Sequence, residues 1–275
     1  MRKTSKILHF CYLISGLALW LCAAGNSFAQ ETFYVHPTNT LNGAPGTDIG
    51  SCAAPDNNDL SDVLATTIAT DTGNGHTLVV CNSAAAAGVA DYTENLGFMN
   101  LRDAQFLNLT IQGETGTAGD IIIQGAASGL DVFRVRRDGI TIQDLRIQGG
   151  TNAIQIYANG PDATIDNVEI TSTDNDSILV QGDGATIDNV LIIGSATSND
   201  GIQANAGATN LTIQNSTIRD TQADGIQIVE TGAIINNVTI EDAGGDGIQL
   251  SAAGTNANLD DITVQIDDAV TSTGG

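Results

Sequence analysis

The chain has 275 residues, and its 32 acidic side chains outnumber nine basic ones, giving a net charge of −23 at pH 7. Such a charge argues against binding to nucleic acid or anionic lipid, and it disfavours acidic polysaccharides unless a cation such as calcium bridges the charges. Only 4% of the residues are aromatic, so an aliphatic core is expected.

The first 29 residues have the pattern of an export signal. Arg2, Lys3 and Lys6 precede an apolar stretch, and Ser27-Phe28-Ala29 suits signal peptidase. We expect cleavage after Ala29, no membrane insertion afterwards, and a secreted, periplasmic or cell-surface location. The mature part would keep six bases against all 32 acids, a net charge of −26.

Two cysteines remain after the predicted cleavage site. They are Cys52 and Cys81. An exported chain with two cysteines most simply forms one disulfide. A catalytic thiol is disfavoured because the mature part offers only His36 and His76 as bases.

Residues 30–100 are not repetitive, and we interpret them as an N-terminal cap with the first coil. The sequence predicts a strand at Phe33-Tyr34-Val35, a helix from Asn58 or Asp59 through about Thr70, and a strand at 76–80. Such a cap is needed because the end of a stack of coils exposes apolar side chains and strand edges.

From Gly129 to Val264 the chain repeats about every 21 to 24 residues. One strand reads Ile165-Asp166-Asn167-Val168-Glu169-Ile170 and recurs from Ile187 and Ile235, while a second reads Asp224-Gly225-Ile226-Gln227-Ile228. A period of this size is typical of a solenoid in which each repeat stacks on the last. The apolar positions two residues apart in the second strand are expected to point inward.

A column of Asn and Asp interrupts the alternation of the first strand. Its members are Asp144, Asn167, Asn189, Asn215, Asn237 and Asp261. The inward positions on either side of them lie three residues apart, which predicts a sharp bend. Asn tolerates left-handed backbone angles, and stacked amides can hydrogen-bond along the axis. We therefore interpret this column as structural, with a ligand-binding row as the alternative.

The two strand motifs, the coil length and the helix predicted ahead of the coils resemble the right-handed parallel β-helix, or pectin-lyase-like, superfamily. The resemblance implies an all-β right-handed parallel β-helix of about eight coils with an N-terminal capping helix. Residues 101–266 would form the coils and 267–275 a polar tail. Members of this superfamily include pectate lyases, polygalacturonases and adhesin-like surface proteins, so the fold alone does not choose an activity.

The coils contain no lysine or histidine, which removes the polygalacturonase-like site. A pectate-lyase-like reaction, calcium-assisted β-elimination with an arginine as base, is the only enzymatic scheme of this superfamily that the residues partly satisfy. The candidate catalytic residues are Arg134, Arg146 and Glu169, with Arg146 and Glu169 on neighbouring coils. The alternative is that these arginines only neutralise nearby acids.

An acidic column precedes the second strand in successive coils. It contains Asp131, Asn152, Asp176, Asp200, Asp224 and Asp246. Stacked like charges repel unless they are hydrogen-bonded or bridged. Either each Asp accepts amides of its own turn, or calcium binds at Asp176, Asp200, Asp224 and Asp246.

Three outward glutamines, Gln203, Gln227 and Gln249, form a flat polar row in the second strand. Such a row suits hydrogen bonding to a sugar chain, and it is equally typical of a solvated sheet face.

The sequence therefore predicts a carbohydrate-contacting or adhesin-like scaffold whose partner is a polysaccharide or cell-surface glycan. A lyase-type enzyme is the alternative. The last coil would be an exposed edge, so either the chain is a fragment of a longer protein or this end self-associates with another subunit.

Overall fold

A computed structural model describes residues 30–35, 52, 64, 68, 74–82, 92–93, 99–101, 106–125, 129–251 and 256–265. The predicted export signal and polar tail lie outside the described residues. So does the predicted capping helix, apart from Leu64 and Ile68, which are both buried.

Twenty strands and their connecting turns make up the described part of the chain, which contains no helix. In chain order, the strands are β1 (Thr32–Val35), β2 (Thr77–Val80), β3 (Tyr92–Thr93), β4 (Met99–Leu101), β5 (Thr110–Gly113), β6 (Ile122–Gln124), β7 (Phe133–Val135), β8 (Thr141–Gln148), β9 (Ile154–Ile156), β10 (Thr164–Thr171), β11 (Ile178–Val180), β12 (Thr186–Asp188), β13 (Leu191–Ile193), β14 (Ile202–Ala204), β15 (Thr212–Gln214), β16 (Thr217–Arg219), β17 (Ile226–Ile228), β18 (Ile234–Glu241), β19 (Ile248–Leu250) and β20 (Asn258–Gln265).

The strands form two parallel sheets, and successive coils contribute strands to both. One sheet has 13 strands and contains the Ile-x-Asn-Val strands, and the other runs β4-β7-β9-β11-β14-β17-β19. This is the predicted all-β right-handed solenoid. It has about six turns rather than about eight.

The inward columns are confirmed by the strand register. Ile178, Ile202 and Ile226 are direct partners in successive strands of the seven-stranded sheet, and all three are fully buried. The middle residue of each of these strands points outward, and these residues are Leu179, Gln203 and Gln227. At roughly 25 cal/mol per Å² of apolar surface, this aliphatic stack provides most of the stabilisation of the fold.

The bend predicted at the Asn column is present in every coil from β8 to β20. The column residues have φ angles between 50° and 61°, in the left-handed region that Asn and Asp tolerate better than other non-glycine residues. The side chains stack as expected: Asn189 Nδ2 donates to Asn167 Oδ1 at 3.0 Å, and Asn237 Nδ2 donates to Asn215 Oδ1 at 2.9 Å. The structural interpretation of this column is confirmed.

The N-terminal end of the solenoid is closed by its own chain. Phe33 and Val35 of β1 are fully buried, and the Tyr92 hydroxyl donates to the Val35 carbonyl oxygen at 2.7 Å. The predicted disulfide joins Cys52 to Cys81, which directly follows β2. The apolar groups at this end are therefore shielded from water.

The opposite end differs. The terminal coil consists of β19 and β20, and its inward columns end in Leu250, Leu259 and Val264, which are 42%, 43% and 49% exposed. Their equivalents one coil earlier, including Ile228 and Ile235, are buried. The difference arises because β19 and β20 pair with a preceding strand on one side only, among the described residues.

Candidate functional site

The arginines of the first coils are held in specific contacts. Arg134 Nε lies 2.8 Å from Asp131 Oδ2, and Arg146 Nη2 lies 2.8 Å from Glu169 Oε2. The second pair is the cross-coil contact expected from the sequence. Each candidate arginine is therefore held by a carboxylate, and the predicted catalytic role of Arg134, Arg146 and Glu169 stays a prediction.

A loop between β5 and β6 covers the Arg146–Glu169 pair. A Cβ at Gly119 would lie 3.0 Å from Arg146 Nη2 and 3.1 Å from Glu169 Oε2, and Asn167 Nδ2 donates to the Gly116 carbonyl oxygen at 3.1 Å. The Nε of Arg146 is buried. This cover was not predicted, since the loop does not belong to the repeat.

A third arginine of the first coils, Arg136, contacts an aromatic ring. Its guanidinium lies 3.8 Å from the ring centroid of Tyr157, a cation–π geometry. Arg134, Arg136 and Arg146 are therefore each engaged in a local contact.

The acidic column forms a continuous chain of hydrogen bonds, here called the Asp ladder (Asp131, Asn152, Asp176, Asp200, Asp224 and Asp246). The Oδ1 of Asp176 accepts the backbone N–H of Asp200 at 3.2 Å, and Oδ1 of Asp200 accepts that of Asp224 at 2.9 Å. Asp224 Oδ1 accepts the N–H of Asp246 at 2.7 Å. The carboxylates of Asp176, Asp200 and Asp224 thus each bind a backbone amide of the next coil, and for them the expectation of own-turn amides is wrong.

Burial controls the electrostatics of the Asp ladder. Burial raises the pKa of Asp176, while hydrogen bonds from Asn199, Asp200 and Asn175 oppose that increase. Burial also raises the pKa of Asp200, and the charges of Asp176 and Asp224 act in the same direction. Asp176 and Asp200 are therefore desolvated carboxylates, and hydrogen bonds oppose the rise of their pKa values.

Potential metal ligands converge at one place in the described part of the chain. Sulfur atoms of Cys52 and Cys81 and a carboxylate oxygen of Glu114 lie within 4.8 Å of one another. The two cysteines form the disulfide, so they are not thiolate ligands. Calcium binding at Asp176, Asp200, Asp224 and Asp246 stays a prediction.

A second acidic group lies on the larger sheet and was not singled out from the sequence. Asp166 and Asp188 are direct partners on β10 and β12. Burial raises the pKa of Asp166, and the charges of Asp188 and Asp144 add to the increase. The repeated Ile-Asp-Asn at 165–167 and 187–189 was the available signal, since it puts an outward Asp beside each bend.

The three glutamines form a connected outward row on the seven-stranded sheet, here called the Gln row. Gln203 Nε2 donates to Gln227 Oε1 at 3.0 Å, and Gln227 Nε2 donates to Gln249 Oε1 at 2.9 Å. All three side chains are half-buried. Each amide has two N–H groups and two lone pairs, so the row keeps hydrogen-bonding capacity toward solvent.

The row does not extend with the same chemistry over the whole sheet. The register places Leu179 beside Gln203 and Gln155 beside Leu179, followed by Arg134 beside Gln155. Along the axis, this face therefore runs from cationic Arg134 through the amide of Gln155 and apolar Leu179 to the Gln row. No helix within the described residues is long and apolar enough to cross a membrane.

Similarity to solved structures supports the fold at low sequence identity. The pectate lyase Pel9A superposes with a TM-score of 0.57 at 13% identity, covering 78% of this chain and 55% of the other. A rhamnogalacturonan lyase gives 0.57 at 11% identity, covering 86% and 62%. An alginate lyase from Paenibacillus sp. str. FPU-7 gives 0.50 at 14% identity, covering 74% and 97%.

The chain thus spans 55% and 62% of the lengths of the first two lyases. Comparison with curated proteins finds no match. The family model described as "Right handed beta helix region" matches residues 128–269, which is more than half of the chain. Together with the stacked parallel sheets, this match shows that the chain belongs to the right-handed β-helix family.

Proposed function

We propose that the protein is an exported β-helix that contacts polysaccharide through its seven-stranded sheet, with the Gln row as the central contact. The observation that carries the proposal is that three half-buried amides lie in register on consecutive coils and are oriented by one another. Pre-oriented polar groups lose less side-chain entropy on binding than free ones.

The geometry favours binding over catalysis. A lyase-type reaction needs a base, and the candidates Arg134 and Arg146 are both ion-paired, the second beneath the β5–β6 loop. The named lyases of similar fold act on pectate, rhamnogalacturonan and alginate, which makes polysaccharide the first class of ligand to test.

The charge of the chain selects among polysaccharides. A net charge of −23 repels polyuronates at low salt. Neutral glycans are therefore the preferred ligands, and a polyuronate would bind only where calcium bridges the two sets of carboxylates.

The Cys52–Cys81 disulfide supports export, because disulfides persist mainly in oxidising compartments. The expected export signal is consistent with the same location.

A binding panel tests the proposal. The protein is titrated calorimetrically with a neutral soluble glycan such as xylan, and with pectate, rhamnogalacturonan and alginate, each with and without calcium. We expect binding to the neutral glycan, and we expect the triple variant Gln203→Ala/Gln227→Ala/Gln249→Ala to weaken it at least tenfold, about 1.4 kcal/mol. Polyuronate binding is expected only with calcium.

The matched control is Thr217→Ala/Thr239→Ala, which removes two outward, half-buried neighbours from the other sheet. It should leave affinity unchanged within about twofold. No binding across the panel, or equal losses in both variants, would overturn the proposal. Release of unsaturated products, followed by absorbance, would establish the lyase alternative. Absence of any calcium effect on binding and thermal unfolding would remove the predicted role of calcium.

A further inference from the structure

The two ends of the solenoid are not equivalent. At the N-terminal end, Phe33 and Val35 are fully buried, whereas at the other end Leu250, Leu259 and Val264 expose 42 to 49% of their surface. Long strands with an unpaired edge and exposed apolar residues associate with other strands unless they are blocked. The terminal coil is therefore the surface of the described part that most needs a partner.

We propose that a second copy of this chain covers the terminal coil, so that two solenoids join tail to tail about a two-fold axis. A head-to-tail stack is disfavoured because the N-terminal end has no comparable apolar surface among the described residues. A two-fold arrangement uses the same patch on both copies and closes after two subunits. In this geometry, the two β20 strands pair in antiparallel fashion.

The sequence of β20 is self-complementary in one antiparallel register. That register pairs Leu259 with Val264 of the second copy and Asp260 with Thr263 of the second copy. Asn258 then meets Gln265 of the second copy, so inward residues face inward residues and outward residues face outward ones. The only mixed pair joins Ile262 and Asp261, at the bend, where φ is 51°.

The neighbouring registers are worse for physical reasons. Shifting the pairing by two residues in one direction places Asp260 opposite Asp261 twice, and like charges directly opposite each other destabilise a strand pair. A shift of one residue brings inward side chains against outward ones. A shift of two residues in the other direction places inward Ile262 opposite outward Thr263 and inward Val264 opposite Asp261. The favoured register is therefore fixed by both charge and burial.

The two-fold axis has a natural position. It passes between Asp261 and Ile262, so it exchanges the two arms of β20 that meet at the bend. The arms have similar lengths on either side of that bend, Asn258–Asp260 and Ile262–Gln265. Both arms find partners in the same operation, and Leu259 and Val264 become covered by each other's symmetry mates.

Sedimentation velocity of the full chain over a range of concentrations tests the assembly. We expect a monomer–dimer equilibrium, and Val264→Lys should weaken dimerisation at least about 30-fold, because it places two buried lysines against Leu259. Ile234→Lys is the matched control: Ile234 is 45% exposed but points outward on β18. It should leave dimerisation unchanged.

Cross-linking tests the register. Antiparallel partners have Cα atoms about 4.5 or 5.5 Å apart, within the range that a disulfide spans. The double variant Asp260→Cys/Thr263→Cys should therefore form covalent dimers on mild oxidation, and neither single variant should. A monomer at all concentrations, a growing filament, an unaffected Val264→Lys dimer, or cross-linking by a single variant would each overturn the proposal.

Discussion

Two polar columns run along the same solenoid, and they differ in what their side chains bind. The Asp ladder lies at a turn and is buried from Asp131 to Asp224, and Asp176, Asp200 and Asp224 bond to the backbone of the next coil. The Gln row lies on an outer face, is half-buried, and its members bond to one another, with Gln203 also bonded to Asp200 and Asn205. A repeated polar residue therefore indicates structure when it satisfies backbone groups, and it becomes a candidate for function when its partners are equivalent surface side chains.

The sharpest test of this comparison removes one member from each column. Asp200→Ala leaves the buried N–H of Asp224 without its acceptor, and an unsatisfied buried amide costs about 1–3 kcal/mol. Gln227→Ala removes only surface contacts and should change the free energy of unfolding by less than about 0.5 kcal/mol. Urea unfolding followed by circular dichroism measures both.

Asp200→Asn is the control for the ladder, because it keeps an acceptor oxygen. Asn152 already occupies the same column and donates from Nδ2 to Asp131 Oδ1 at 2.7 Å. The Asn variant should therefore stay close to the wild type in stability. Equal losses for Asp200→Ala and Gln227→Ala would remove the distinction between the two columns.

The column of Asn and Asp at the bend of each coil, here called the bend column, should give a second and somewhat smaller effect on stability. Asn189→Ala keeps the backbone in a left-handed conformation that alanine disfavours by about 1–2 kcal/mol. Asn189→Gly allows the same φ angle and loses only the exposed amide bond to Asn167. Thermal unfolding should rank the wild type above the glycine variant and the glycine variant above alanine. A glycine variant as unstable as the alanine variant would assign the cost to the amide stack instead.

The smallest expected effect is the pH dependence of the Asp ladder. Burial raises the pKa of Asp176 and Asp200 in the folded state, so the folded protein binds these protons more tightly than the unfolded chain. Their ionisation therefore lowers stability as pH rises from about 4 through the raised pKa values. Asp176→Asn/Asp200→Asn should gain stability relative to the wild type over that range.

Denaturant unfolding of both proteins between pH 4 and pH 7 measures this difference. The advantage of the double variant should be largest at pH 7 and should disappear toward pH 4. An advantage that grows on acidification would mean that the carboxylates are stabilised in their charged form. The Gln row has no titratable group, so Gln227→Ala should follow the wild type across the whole range.

The sequence was sufficient for the features that repeat. The inward positions of Ile202 and Ile226 and the bend at Asn189 followed from spacing alone, because a strand alternates and a coil must return to its starting point. The partner of Asp200 did not follow, since a column gives the position of a side chain along the axis but not the direction of its bond. The loop at Gly119 was also missed, because its path depends on contacts that no period encodes.

The Asp ladder and the bend column also have a direction. Asp200 accepts from Asp224, and Asn167 accepts from Asn189, so the earlier coil supplies the acceptor and the later coil the donor. A chain that emerges from its N-terminus would thus add each new coil to acceptors that are already in place. Growth from the other end would first bury donors with nothing to receive them. We therefore expect the order of assembly to follow the order of synthesis, and pulse-labelled hydrogen exchange during refolding would report it as protection that spreads from β8 toward β20.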